Sequence, residues 1–387
     1  MHNSKEEFTG FSTRAIHIGQ EPEEITGAVT VPLFQTSTYA QIEIGKHKGF
    51  EYARTHNPTR FAWEANFAAM EKAKYGFAFA SGTAAVDSVL KLLSAGDHVI
   101  AAEDMYGGTF RHFDKIMRRF GVEFTYVDMR DMANIEAALK PNTKMLYTES
   151  PTNPMMTLTD LKAVAKIAKA NNAMMVVDNT FASPYFQTPI ELGADIVLHS
   201  ATKYLGGHSD LVSGIVATSN EEIATQLKFI QNAAGAVPGP FECWLLLRSS
   251  KTLALRMRAH EENALKIAAY CEGNKHIHAI HYPGLKSHPQ HELAKQQMRG
   301  FGGMISIELG SLDNARKFTN SLKLFTLAES LGGVESLVCH PVSMTHGSIP
   351  KEQRERLGIT DGLVRLSCGV EDSEDMMRDI EQALAQM

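Results

Sequence analysis

The chain has 387 residues, 44% of them apolar, with a formal net charge of −6 and four cysteines. At roughly 100–200 residues per domain, this length suffices for two or three domains with a sizeable core. The acidic balance excludes a nucleic-acid footprint, because the short basic clusters at Arg118-Arg119 and Arg256-Met-Arg258 read as solvated helix faces.

No stretch reaches the ~20 consecutive apolar residues of a membrane span. The opening Met1-His-Asn-Ser-Lys-Glu-Glu has no apolar core for a signal peptide. Cys243, Cys271, Cys339 and Cys368 are too dispersed for a disulfide framework or a zinc knuckle, which predicts a cytoplasmic protein in reducing surroundings.

In chain order, residues 1 to about 62 show little periodicity and several turn formers, and predict an arm that packs on something other than its own core. From about Tyr75 to Val216, apolar strand-sized runs alternate with amphipathic helix-sized segments, the pattern of a mostly parallel sheet sandwiched by helices. Ser81-Gly82-Thr83 precedes a helical run from Ala84 to Leu93, so the backbone N–H groups of Gly82 and Thr83 lie at a helix N-terminus, a natural anion site; read alone, Ser81 is only an N-cap.

Further along, His98–Ala102 reads as a strand, and Tyr106 lies beyond it in Asp104-Met-Tyr-Gly-Gly-Thr109, either a turn tyrosine or a ring placed to stack on a flat ligand. Lys144–Thr148 is the next strand, followed by the breaker Pro151-Thr-Asn-Pro154 and a helix from Asp160 to Asn171. Met174–Asp178 and Ile196–His199 are two more strands, the second leading into Ser200-Ala-Thr-Lys203. From about Phe241 a helical pattern runs to Glu272, and strands at Met304–Leu309 and Leu363–Cys368 then alternate with helices in a smaller α/β domain. The expected division is 1–62 for the arm, 63–240 for the larger domain and 241–387 for the smaller one.

The chemistry concentrates on Lys203 and Asp178, 25 residues apart. A lysine that forms an imine with an aldehyde must be deprotonated part of the time, which burial or neighbouring cations achieve. A carboxylate ending a buried strand can hold a pyridinium nitrogen protonated, so that the ring becomes an electron sink. Each alone is ordinary in an α/β protein; together, with the hydroxyls of Ser200 and Thr202 alongside, they point to pyridoxal 5′-phosphate (PLP). The loops concerned follow strand ends, where open α/β sheets bind ligands. His276, His278 and His281 lack cysteine or acidic companions, so no metal is expected.

A resemblance covers nearly the whole chain. Val31-Pro-Leu-Phe-Gln-Thr-Ser-Thr-Tyr39, Tyr52-Ala-Arg-Thr-His-Asn-Pro-Thr-Arg60, Ala80-Ser-Gly-Thr-Ala84, Tyr106-Gly-Gly-Thr109, Glu149-Ser-Pro-Thr-Asn-Pro154, Val177-Asp-Asn-Thr180, His199-Ser-Ala-Thr-Lys-Tyr204, Thr326-Leu-Ala-Glu-Ser-Leu-Gly-Gly333 and Arg365-Leu-Ser367 occur in order. The sequence resembles the trans-sulfuration group of Cys/Met-metabolism PLP enzymes, of the aspartate-aminotransferase-like fold (PLP fold type I).

The resemblance implies Lys203 as Schiff-base residue and proton shuttle, Asp178 as partner of the ring nitrogen, and Tyr106 as a catalytic stacking lid. It implies Gly82, Thr83, Ser200 and Thr202 as phosphate ligands, although methionine is common at position 83, and Asn153 near the ring hydroxyl. Tyr52 and Arg54 would reach the phosphate of a neighbouring subunit, in a homo-oligomer that is usually a tetramer. Arg365 would clamp the substrate α-carboxylate, as a guanidinium does through two parallel hydrogen bonds, with Ser330 as a second contact.

Within the group the chain looks most like the cystathionine γ-lyases, which break the Cγ–S bond of L-cystathionine to give cysteine, 2-oxobutyrate and ammonia. Glu329 sits where classical bacterial β-lyases usually carry an aromatic residue, and Gly108 where methionine γ-lyases usually carry cysteine. Cystathionine γ-synthase and β-lyase activities are the close alternatives. A PLP-fold protein that has lost catalysis is the reading from another class, and the presence of both Lys203 and Asp178 counts against it.

Overall fold

The computed structural model describes residues 9–347 and 349–387; the polar N-terminal run read above as no signal peptide lies outside the described residues. Seven strands form the larger sheet: β1 (Tyr75–Phe79), β2 (His98–Ala102), β3 (Glu123–Val127), β4 (Thr143–Glu149), β5 (Met174–Asp178), β6 (Ile196–Ser200) and β7 (Gly214–Thr218). Their order is β1-β7-β6-β5-β4-β2-β3. β7 is antiparallel to both its neighbours, and the remaining pairings are parallel. Strands β1 to β6 therefore all point the same way, and their carboxyl ends share one edge.

The apolar runs are continuous because both faces are covered. Val99, Ala101, Met145, Tyr147, Val176 and Leu198 pack with residues of the helices Gly82–Leu90, Gly107–Lys115 and Glu221–Ala234. On the other face, Ile100, Ala102, Leu146, Met175 and Val177 pack on the helix Leu161–Ala170. There too Val197, Ile215 and Ala217 share a core with Trp63 and Phe67 of the helix Pro58–Met70 and with Leu246 of the helix Pro240–Ser250. Alternate residues of one strand thus enter different cores, as the two-residue period of a strand requires.

The helix Pro58–Met70 runs across position 62, and within the arm Phe11–His17 is also helical. The helical run expected from 241 to 272 is two helices, Pro240–Ser250 and Leu253–Cys271. At the break the Ser249 carbonyl accepts the Thr252 N–H at 3.1 Å, and the Thr252 hydroxyl and the Arg256 Nη2 also donate to it, at 3.1 and 2.9 Å. Arg256 departs from the solvated-face reading: it is 6% exposed, and its Nη1 donates to Tyr204 O at 2.6 Å.

The smaller sheet contains β8 (Ala279–His281), β9 (Met304–Glu308), β10 (Thr326–Leu327), β11 (Leu337–Cys339) and β12 (Leu363–Ser367), in the order β10-β11-β12-β9-β8. Only β10 and β11 are parallel. Ile305, Ile307, Val364 and Leu366 bury one face against the helices Leu253–Cys271, Leu312–Ser321 and Ser373–Leu384. Gln290 and Gln297 tie this half to the segment after β4 by accepting the N–H groups of Leu158 and Leu161 at 2.8 and 2.9 Å. Among the described residues, no helix is long and apolar enough to cross a membrane, and no three His, Cys, Asp or Glu side chains are grouped to hold a metal ion.

Candidate active site

A cavity opens where the shared edge of the larger sheet meets β12 and the turn after β10. It is lined by Ser81, Gly82, Thr83, Tyr106, Glu149, Asn153, Asp178, Ser200, Thr202, Lys203, Glu329, Ser330 and Arg365, among others. Eleven of the thirteen candidates named above are therefore brought together. Tyr52 and Arg54 are not. Arg54 instead donates to Asn232 O and Oδ1, and its guanidinium lies 5.6 Å from the Tyr52 ring centroid.

Lys203 emerges from a tight turn beyond β6. Its N–H donates to Ser200 O at 3.1 Å, the Gly206 and Gly207 N–H groups donate back to Ala201 O and Lys203 O, and buried Arg256 braces Tyr204 O. Lys203 Nζ donates to Ser330 Oγ at 2.8 Å. Burial first, and the Arg365 charge second, pull its pKa down to about 8, so about a tenth is free amine at pH 7. If this amine captures aldehydes, reaction of PLP with the apoprotein slows about tenfold for each pH unit below about 8 and levels off above it, because only the deprotonated form attacks. Stopped-flow absorbance measures this, and a rate independent of pH between about 6 and 9 contradicts it.

Asp178 ends β5. Its Oδ1 accepts the Thr180 N–H at 3.0 Å and the Thr180 hydroxyl at 2.5 Å. Burial raises its pKa, and the two bonds from Thr180 oppose that rise. A cationic ring nitrogen beside the other oxygen would supply the missing counter-charge.

The helix Gly82–Leu90 is capped by Ser81, whose Oγ accepts the Ala84 N–H at 3.0 Å. Among the described residues the Gly82 and Thr83 N–H groups have no protein partner. A Cβ on Gly82 would lie 2.8 Å from Ser200 Cβ, and one on Gly214 would fall on Ser81 O. The cradle is therefore shaped by two glycines that permit close backbone approach. The Thr202 hydroxyl is tied to Ser213, donating to its carbonyl at 3.2 Å and accepting its N–H at 3.1 Å. Of the two hydroxyl residues, Ser200 is the less committed.

Arg365, on β12, is 2% exposed. Its Nη1 donates to Asn153 Oδ1 at 2.6 Å and its Nη2 to Ser330 O at 2.9 Å. Its Nε is buried without a partner, and no acidic residue pairs with it among the described residues. Arg365 is therefore not a strand arginine held by an acid, and a carboxylate ligand would satisfy its unpaired donors. Ser330 is held at φ 90°, a region costly for a side-chain-bearing residue, by the bonds to Lys203 and Arg365. Tyr106 is 40% exposed at the mouth, and any Cβ at Gly108 would fall on its ring. Glu329 is exposed at the same mouth.

Sequence reasoning gave no role to Glu149, Thr180 or Arg256. Glu149 carries the same signal as Asp178, an acid closing a buried strand; Arg256 carries none, because a helix arginine reads alike whether buried or solvated.

A lysine with a lowered pKa, a buried acid, a helix N-terminus with free N–H groups and an arginine lacking its anion fit a planar aldehyde bearing a phosphate and a basic ring nitrogen. That chemistry is the one PLP presents, and the fold and site define a PLP-dependent enzyme of fold type I. A model of the Cys/Met metabolism PLP-dependent enzymes matches residues 12–385, and the chain belongs to that family. It is 53% identical over 372 residues to a cystathionine gamma-lyase of Bacillus subtilis (strain 168), covering 96% of this chain and 98% of that one. It is 54% identical over 376 residues to a cystathionine beta-lyase of Lactococcus lactis subsp. cremoris (strain MG1363), covering 97% and 99%. The crystal structure of a cystathionine gamma-lyase from Lactobacillus plantarum, complexed with L-serine, matches with a TM-score of 0.95 at 50% identity over 97% of this chain and 99% of that one.

Proposed function

We propose that the protein cleaves the Cγ–S bond of L-cystathionine, with water, to cysteine, 2-oxobutyrate and ammonia. The observation that carries this reading is the convergence of Lys203 Nζ, Ser330 and Arg365 on one cavity with Glu329 at its mouth. In this scheme Gly82, Thr83, Ser200 and Thr202 hold the cofactor phosphate, Asp178 pairs with the ring nitrogen, Asn153 lies near the ring hydroxyl, and Tyr106 covers the ring. When bound, PLP supplies an electron sink for charge released at the substrate Cα.

Arg365 grips the α-carboxylate through the N–H groups that Asn153 and Ser330 leave unused, which turns the Cα–H toward Lys203. The Lys203 amine, with a pKa of about 8, takes the Cα proton as general base. Once it has handed that proton on, Lys203 would be free amine again and would take a Cβ proton, which releases the sulfur from Cγ, and the protonated Lys203 would then give this proton to the departing thiolate. Glu329 attracts the distal ammonium of cystathionine, which favours a substrate with an amino acid at both ends.

The β-lyase reading has one observation in its favour, the 54% identity to a relative so named. Giving purified protein L-cystathionine and separating the products decides between them: cysteine with 2-oxobutyrate is expected, whereas homocysteine with pyruvate overturns the γ-lyase reading. Condensation of an O-acylhomoserine with cysteine as the dominant activity would place the protein with the γ-synthases.

The three-part division at 62 and 240 belongs to this proposal, as does cytoplasmic residence, which rests on four unpaired cysteines. So does a homotetramer built as a dimer of dimers, in which Tyr52 and Arg54 complete a neighbour's phosphate site. Their position outside the chain's own cavity supports that, as do exposed Ile25, Ile42 and Ile44 on the arm. Light scattering should give a multiple of the chain mass; a single-chain mass for active protein contradicts it.

A further inference from the structure

Glu149 closes β4 and lines the cavity, yet the scheme above leaves it without a task. It is 4% exposed. Both carboxyl oxygens are committed to backbone: Oε2 accepts the Tyr106 N–H and Oε1 accepts the Asn153 N–H, each at 2.9 Å. These amides belong to different loops, one following β2 and the other following β4. The sheet register pairs Glu149 with Asp178 on the adjacent strand.

The surroundings are hostile to an acid. Burial and the charge of Asp178 push the Glu149 pKa well above its ordinary value, and Asp104 acts in the same direction; only the two amides oppose them. A buried acid without a cation is costly to keep. What it provides is two acceptor oxygens on one rigid group, whereas a glutamine at the same place has one.

The two amides lead to the two sides of the cavity. Beyond the first, the Tyr106 ring lies over Gly108, which has no side chain to displace it. Beyond the second, Asn153 Oδ1 accepts Arg365 Nη1 at 2.6 Å, and Asn153 O is in hydrogen-bond contact with His346 Nε2 at 3.0 Å. We propose that Glu149 is a positioning residue whose two oxygens hold the Tyr106 ring and the Asn153–Arg365 pair in fixed relation. The covering ring and the carboxylate clamp then keep one spacing through turnover. This rests on the cofactor and substrate site proposed above.

The test compares Glu149→Gln and Glu149→Asp holoenzymes with the parent. Readouts are visible-region circular dichroism of bound PLP, KM and kcat for L-cystathionine, thermal unfolding, and mapping of the borohydride-reduced adduct. Glu149→Gln retains one acceptor and is expected to weaken the cofactor dichroism and raise KM about tenfold, the effect of losing one charge-assisted hydrogen bond. Glu149→Asp keeps both oxygens and falls between Gln and the parent. A structural role alone would lower the unfolding temperature while leaving dichroism and KM at parental values, and that result overturns the proposal. If the Gln variant does not fold, parental KM and dichroism in the Asp variant overturn it equally. An adduct away from Lys203 in the parent would sink the site reading itself, so the two failures are told apart.

Discussion

Lys203→Ala lowers cystathionine turnover by on the order of 10³-fold or more, since it removes the general acid–base together with the covalent anchor. The fold should survive, because among the described residues Lys203 Nζ makes one hydrogen bond, to Ser330 Oγ. Its turn is fixed by backbone bonds and by Arg256 on Tyr204 O, which the substitution leaves in place. Removing a buried amine also relieves its desolvation, so the apoprotein should be no less stable than the parent. The measurement is kcat beside thermal unfolding of both apoproteins. Loss of turnover with unchanged unfolding is expected, and turnover near the parental rate contradicts the role of Lys203.

Arg365→Lys retains the charge and loses the fork. In the parent, Nη1 gives one N–H to Asn153 Oδ1 and Nη2 one to Ser330 O, and their second N–H groups are left for the ligand. An ammonium at the end of a flexible stem cannot serve three directions fixed in one plane. Ser330 would also lose one of the two bonds that hold its φ at 90°. The expected fall in kcat/KM is roughly a hundredfold, about 3 kcal/mol, carried mainly by KM, because truncating a buried hydrogen-bonded charge leaves its partners unpaired. Steady-state kinetics across cystathionine concentrations measures it. A fall confined to kcat would assign Arg365 to the chemical step instead of to carboxylate binding.

Much of the larger sheet was legible in the sequence. The strand at His98–Ala102 has the bounds read from its apolar run, and those at Met174–Asp178 and Ile196–Ser200 match within a residue, because strands buried on both faces are continuous apolar stretches flanked by breakers. β3 escaped notice: as an edge strand reading Glu-Phe-Thr-Tyr-Val it mixes polar and aromatic residues and shows no unbroken run. The antiparallel course of β7 and the mainly antiparallel smaller sheet were likewise not legible, since strand direction depends on the connections between strands. In the site, residue types at strand ends marked the Lys203 and Asp178 pair. What stayed hidden was set by distant contacts: Glu149 joining two loops, and Arg256, 53 residues beyond Lys203, bracing the turn that presents it.

The central claim is that one lysine amine carries the aldehyde cofactor, and reductive trapping tests it most directly. Holoenzyme reduced with borohydride, digested and analysed by mass spectrometry should bear a single phosphopyridoxyl group on the peptide containing Lys203, with loss of the visible absorbance. A group on any other lysine, or undiminished cystathionine cleavage after complete reduction, contradicts the account.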